Sequence, residues 1–186
     1  MSEQIISLLR SFGIKLERGL SEAEFQSIEK RFYFRFPPDL RALLRHALPV
    51  SPGFPNWRSD SESSLAGRLW EPILDISLSV QDSGYWLAEW GERPDDLQEA
   101  VETAIDILQG YPRLIPVFNH RCMPSEPFEM GNPVLSIVGL DIIVYGENLH
   151  DYVLNEFGNR NSEICINAKC MRGWSRFVLE MDSFQK

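Results

Sequence analysis

Residues 113–157 read RLIPVFNHRCMPSEPFEMGNPVLSIVGLDIIVYGENLHDYVLNEF, and this stretch decides the fold. It opens on a short apolar run, Leu114 to Phe118, and crosses a polar, proline-rich segment that ends at Gly131-Asn132-Pro133. Two more apolar runs follow, Pro133 to Val138 and Asp141 to Tyr145, parted only by Gly139-Leu140. Short β-branched runs bounded by Gly, Pro and Asn are strand signals, and so tight a connection predicts an antiparallel hairpin. Asn148 is placed to cap a helix whose Leu149, Tyr152, Val153 and Phe157 share one face. Three strands feeding a helix is the unit around which a core can form.

Working outward, the N-terminal third predicts helices. Ile5, Leu8, Leu9 and Phe12 recur at helical spacing ahead of Gly13. Leu20-Ser21-Glu22-Ala23-Glu24-Phe25 carries a capping box, in which Ser21 accepts from the Glu24 amide and the Glu24 carboxylate reaches back. Phe25, Ile28 and Phe32 form the buried stripe of that helix. Phe36-Pro37-Pro38-Asp39 ends it and starts another, faced by Leu40, Leu43, Leu44 and Ala47. Residues 49–68 are rich in Pro, Ser, Gly and Asn, which predicts a mobile loop with a short helix near Trp57. Leu74, Ile76 and Leu78 alternate with polar residues and predict a strand, with a second over Tyr85–Leu87. Trp86 and Trp90 suit either the core or a surface anchor, Trp86 being the better fit to the core. A helix over Pro94–Leu108 presents Leu97, Val101, Ala104, Ile105 and Leu108 on one face and stops at Gly110. A last helix near Trp174 to Met181 shows Trp174, Phe177, Val178 and Met181 on one side, after a polar, irregular stretch over 158–170. The fold class expected is α+β, one domain over residues 1–186, with a mainly antiparallel sheet packed by N-terminal, middle and C-terminal helices.

The chain of 186 residues is 44% apolar and 24% charged, ordinary values for a globular protein that buries one core. No stretch approaches a membrane span, and the first residues lack the basic start and cleavage site of a secretion signal, so a cytoplasmic place is expected. The net charge is −9, and its distribution matters more than its sum. Residues 1–45 carry 8 bases and 6 acids, residues 46–112 carry 3 and 12, and residues 113–186 carry 7 and 9. The middle section therefore holds the whole excess. Such a field repels nucleic acid and anionic lipid and attracts basic proteins. Within the predicted helix, Asp95, Glu99, Glu102 and Asp106 fall at i, i+4, i+7 and i+11 with no Lys or Arg among them. This acidic stripe opposes the apolar one, at a cost of a few tenths of a kcal/mol per like-charged pair.

No phosphate-binding glycine loop, nucleophile elbow or zinc-protease pair occurs. Cys122, Cys165 and Cys170 fit no metal or redox spacing and are expected as reduced thiols. His46, His120 and His150 lie on different elements, and His120 with Cys122 does not make a facing dyad. Asp141 is placed to bond amides of the turn before it. Arg121 and Asn132 bracket the proline-rich crossing; either they satisfy its carbonyls or they meet a partner. No catalytic residue, metal ligand or cofactor is assigned.

The succession LIPV, HR-x-MP, GNPV-x-S, DII-x-YG, NL-x-DY and NEF within 114–157 resembles the SUKH superfamily of Smi/Knr-type domains. The stretch from Leu20 to Ala47 resembles its helical entry. That group includes bacterial immunity proteins, many of them directed at nuclease toxins, and the yeast regulator of cell-wall synthesis. The resemblance implies a non-enzymatic, cytoplasmic domain that neutralises a toxin by binding it. Independently of it, the charge pattern makes Asp95, Glu99, Glu102 and Asp106 candidate contacts, able to occupy the basic surface with which a nuclease grips phosphates, the alternative being a merely solvated helix face; Trp90, Arg121 and Asn132 are further candidate contacts. The partner implied is a basic protein, with no nucleic acid and no membrane. A regulatory or scaffolding domain is the alternative, and long flanking segments would favour it.

Overall fold

The computed structural model describes residues 2–158 and 169–178. Helix α1 (Ser2–Ser11) leads through β1 (Leu16–Arg18) to α2 (Glu22–Phe32), α3 (Pro38–His46) and β2 (Ala47–Pro49). The long α4 (Glu62–Ser83) and α5 (Leu97–Gln109) follow, joined by a segment with one 3-10 turn, Ala88–Trp90. Then come β3 (Leu114–Phe118), β4 (Arg121–Pro124), β5 (Val134–Val138), β6 (Asp141–Gly146) and α6 (Leu149–Phe157). The fold is α+β with two antiparallel sheets, β1-β2 and β3-β4-β5-β6.

The four-stranded sheet separates two apolar clusters, and the period of two along its strands assigns each residue to one of them. Ile115, Val117, Met123 and Val134 face a cluster built with α1, α2, α3 and α6. Leu114, Cys122, Leu135, Ile137, Ile142 and Val144 face a second, built with α4, α5, Trp174 and Phe177. A sheet covered on both faces buries nearly every residue of its central strands, each large aliphatic one contributing about 1.5–3 kcal/mol. The hairpin, the Asn148 cap and the helix after it are as the sequence predicts: Gly139 sits at φ 58° between β5 and β6, and Asn148 Oδ1 accepts from the amides of His150 and Asp151. The capping box at Ser21 closes from both sides, with Glu24 Oε2 accepting from the Ser21 amide at 2.7 Å.

The structure corrects several expectations. The proline-rich crossing contains a fully buried strand, β4, because Arg121 to Pro124 are held between β3 and β5. Leu74, Ile76 and Leu78 lie not on a strand but in α4, capped by Ser61 and closed by Gly84 at φ 71°. The longer period prevails there: Leu65, Leu69, Ile73, Ile76 and Val80 lie on its buried side, and Pro72 is accommodated inside the helix. Tyr85–Leu87 is irregular and runs into the 3-10 turn. The loop before α4 is a series of turns rather than a short helix. It is pinned by buried Trp57, whose ring meets Phe36 edge-on at 5.0 Å, and by Arg58, which donates to the carbonyls of Arg18 and Gly19. α5 starts at Leu97, and its buried face is Ala100, Ala104 and Leu108, leaving Leu97 exposed. Residues 174–178 are helical; Met181, Cys165 and most of the stretch expected to be irregular lie outside the described residues.

Candidate partner-binding surface

Most of the apolar residues between Leu114 and Val153, with Arg121 and Asn132, turn inward, while His120 and Asp141 stay exposed. Arg121 stands opposite Ser136 across β4 and β5 and is capped by α6. Its guanidinium donates to Glu156 Oε2 at 3.0 Å and to Ser136 Oγ at 2.7 Å, meets His120 Nε2, and lies 3.8 Å over the Tyr145 ring. Partial desolvation and the neighbouring Arg121 charge push the His120 pKa down. Asn155 Nδ2 donates to the Tyr145 carbonyl, tying α6 to β6. At Gly146 a β-carbon would stand 2.5 Å from the Tyr152 backbone, so only glycine lets the strand end pass beneath the helix. Asn132 donates to the carbonyls of Pro124 and Pro127, and Asp39 accepts from the Gly131 amide at 2.6 Å. Of the two roles open to Asn132, the structure shows carbonyl satisfaction; Arg121 instead holds an ion pair under α6. Both are buried. Cys122 is buried too, and desolvation pushes its thiol up to about 12, so it stays protonated.

Trp90 is also an interior residue. Its indole N–H donates to Tyr111 Oη at 3.0 Å, and its ring packs on Tyr85, Trp86 and Phe177. Trp86 is half-buried against it. As folded, Trp90, Arg121 and Asn132 present no side-chain face to a partner, because each is engaged inside.

The acids lie differently. Asp95 precedes α5 rather than standing on it, and Asp96 is the N-cap, accepting from the Glu99 amide at 2.9 Å. Glu99, Glu102 and Asp106 are exposed along the helix, with Glu102 taking a bond from Gln98 at 2.7 Å. None of these five has a Lys or Arg partner among the described residues. α4, packed beside α5, extends the same field with exposed Glu71 and Asp82 and half-buried Asp75. From Glu71 to Asp106 there are ten acids and one base, Arg93.

Two leucines interrupt the charge. Leu74 and Leu78, one turn apart on α4, are 49% and 52% exposed. The tip of the β5–β6 hairpin meets α4 at Ser79, on a different side of the helix: a β-carbon on Gly139 would lie 4.0 Å from Ser79 Oγ, and the adjacent Val138 is 57% exposed. Leu74 and Leu78 make a small apolar stripe on α4, flanked along the same helix by Glu71, Asp75 and Asp82. The sequence carried a signal for it, the Leu65–Val80 helical period that turns Leu74 and Leu78 outward. A five-residue alternation masked that signal.

Among the described residues no helix is long and apolar enough to cross a membrane, and no group of three or more His, Cys, Asp and Glu is arranged to hold a metal. Compared with protein-family models, with curated proteins and with solved structures, the chain matches none.

Proposed function

We propose that the protein acts by binding, without chemistry of its own, and that the α4–α5 face captures a basic protein. The observation that carries this reading is the set of carboxylates on and just before α5, Asp95, Asp96, Glu99, Glu102 and Asp106, joined by Glu71 and Asp82 of α4, all exposed and without a Lys or Arg partner among the described residues; Glu89, between the two helices, pairs with Arg176. Unpaired like charges on neighbouring turns cost stability, and Asp106 stands at the negative end of its helix. A positive partner removes both penalties and is steered to the face at long range. Leu74 and Leu78 supply the apolar centre that such an interface needs inside its charged rim.

The resemblance in 114–157 supports the more specific form of the reading, a cytoplasmic immunity protein that occupies the phosphate-gripping surface of a nuclease toxin. Hydrogen exchange of the full chain with and without the product of the adjacent reading frame tests it. Protection is expected over α4 and α5. Protection confined to α1–α3, or none, would refute the assignment of the face.

A further inference from the structure

A cleft of about 560 Å³ opens between the α2–α3 connection, the C-terminal end of α5 with the α5–β3 connection, and the loop after β4. That volume falls within the roughly 300–1,000 Å³ of small-molecule sites. Its charge is the reverse of the α4–α5 face. Arg35, Arg113 and Arg172 line it, against Glu29 and Glu126. Both acids are already engaged: Glu29 Oε1 accepts from the Phe36 amide at 3.0 Å and lies 3.5 Å from Arg41, and Glu126 lies 3.6 Å from Arg172.

Arg35 and Arg113 have no carboxylate partner among the described residues. Arg35 lies 3.8 Å over the Phe128 ring, and half-buried Arg113 is 5.3 Å from the centre of Trp70. A guanidinium withdrawn from water without a counter-ion is costly, and desolvation already pulls the Arg113 pKa down. An anion entering the cleft would remove that cost.

The aromatic groups are as unusual as the charges. Tyr33 ends α2 in the left-handed region at φ 55°, where Gly or Asn is the unstrained choice, and it leaves its ring 89% exposed. Phe128, at 45% exposure, also lines the cleft. Two rings held out in water beside two unpaired guanidiniums make a site for a ring that carries negative charge.

We propose that this cleft binds a small anion built on a planar ring, its phosphate or carboxylate held by Arg113 and Arg35 and its ring packed against Tyr33 and Phe128. The site is independent of the α4–α5 face.

Titration of the full chain, followed by NMR, with adenosine monophosphate, adenosine, benzoate and inorganic phosphate tests it. At least one of the ring-bearing anions should saturate, with adenosine and inorganic phosphate each about tenfold weaker than that anion. Saturation by adenosine monophosphate alone marks a phosphate ester as the ligand; saturation by benzoate alone marks a carboxylate. R113Q should weaken binding about tenfold and R35Q less. Y33G, which relieves the backbone and should fold normally, should weaken the ring-bearing anions and leave inorganic phosphate unchanged. If R113Q does not fold, R35Q and Y33G carry the same test. Failure of both ring-bearing anions to saturate, or wild-type affinity in the folded variants, overturns the proposal.

Discussion

Two regions of this molecule use carboxylates in opposite ways. Between β1 and the start of α4, Glu17, Glu22, Glu24, Glu29 and Glu62 each lie 2.6–3.8 Å from an arginine. Arg41 and Arg45 bracket Glu22, while Arg58 bonds Glu24 and two carbonyls of the preceding turn. There the acids fasten elements to one another. On α4, α5 and the two residues before α5, eight acids, Glu71, Asp75, Asp82, Asp95, Asp96, Glu99, Glu102 and Asp106, have no cationic partner among the described residues. A chain with 18 Lys and Arg for 27 Asp and Glu cannot neutralise every acid, and among the described residues the bases that pair serve acids of the N-terminal region and Glu89, Glu126, Glu129 and Glu156. The net charge thus becomes a property of one face, available to something outside the molecule.

The comparison can be broken first at the register of α4. Ile76 is wholly buried and Leu74 half exposed, although both belong to one apparent alternation. Ile76→Ala should lower unfolding stability by about 3 kcal/mol, whereas Leu74→Ala should change it by less than about 0.5 kcal/mol. Equal losses in urea denaturation would restore the strand and place both residues on one buried face.

A smaller effect tests the paired region. Hydrogen bonds from Arg58 and from the Ser21 amide hold the Glu24 carboxyl at about 2, below its ordinary value of 4.5. A group depressed on folding stabilises the native state above its unfolded pKa, and that contribution fades as pH falls through the folded one. Stability should therefore decline between pH 4.5 and about 2, and Glu24→Gln should flatten the decline. Glu102→Gln, which removes no ion pair, should change stability at neutral pH by less than about 0.5 kcal/mol. Identical pH profiles for Glu24→Gln and the wild type would contradict the division between the two regions.

Much of this was legible from local chemistry. The Ser21 box, the Asn148 cap and the Gly139 turn are each decided within four residues, and each formed as the sequence predicts. Features decided at longer range were not legible. β4 reads as loop because Arg121 and Pro124 are poor strand residues; only the flanking strands and the Glu156 ion pair place them inside. Trp90 offered no sign of which side it would take, since its partner Tyr111 is twenty-one residues away. The four-acid stripe was right in composition and wrong in one member, because Asp96 takes the cap and leaves Asp95 outside. Arg35, Arg113 and Arg172 meet only through three separate connections, so no spacing announces the cleft.

The central claim is that Glu99, Glu102 and Asp106 belong to the working surface and carry none of the fold, unlike Asp96, which caps α5. It is tested most directly by measuring the affinity of the adjacent reading frame's product for the wild type and for a triple variant, E99K/E102K/D106K, at low and high salt, with thermal unfolding alongside. The account predicts that wild-type affinity falls steeply with salt. The triple variant should lose at least about a hundredfold at low salt and unfold no earlier than the wild type, since like-charge repulsion is relieved. Unchanged affinity with an unchanged salt slope, or a variant that loses binding only because it unfolds, would contradict it.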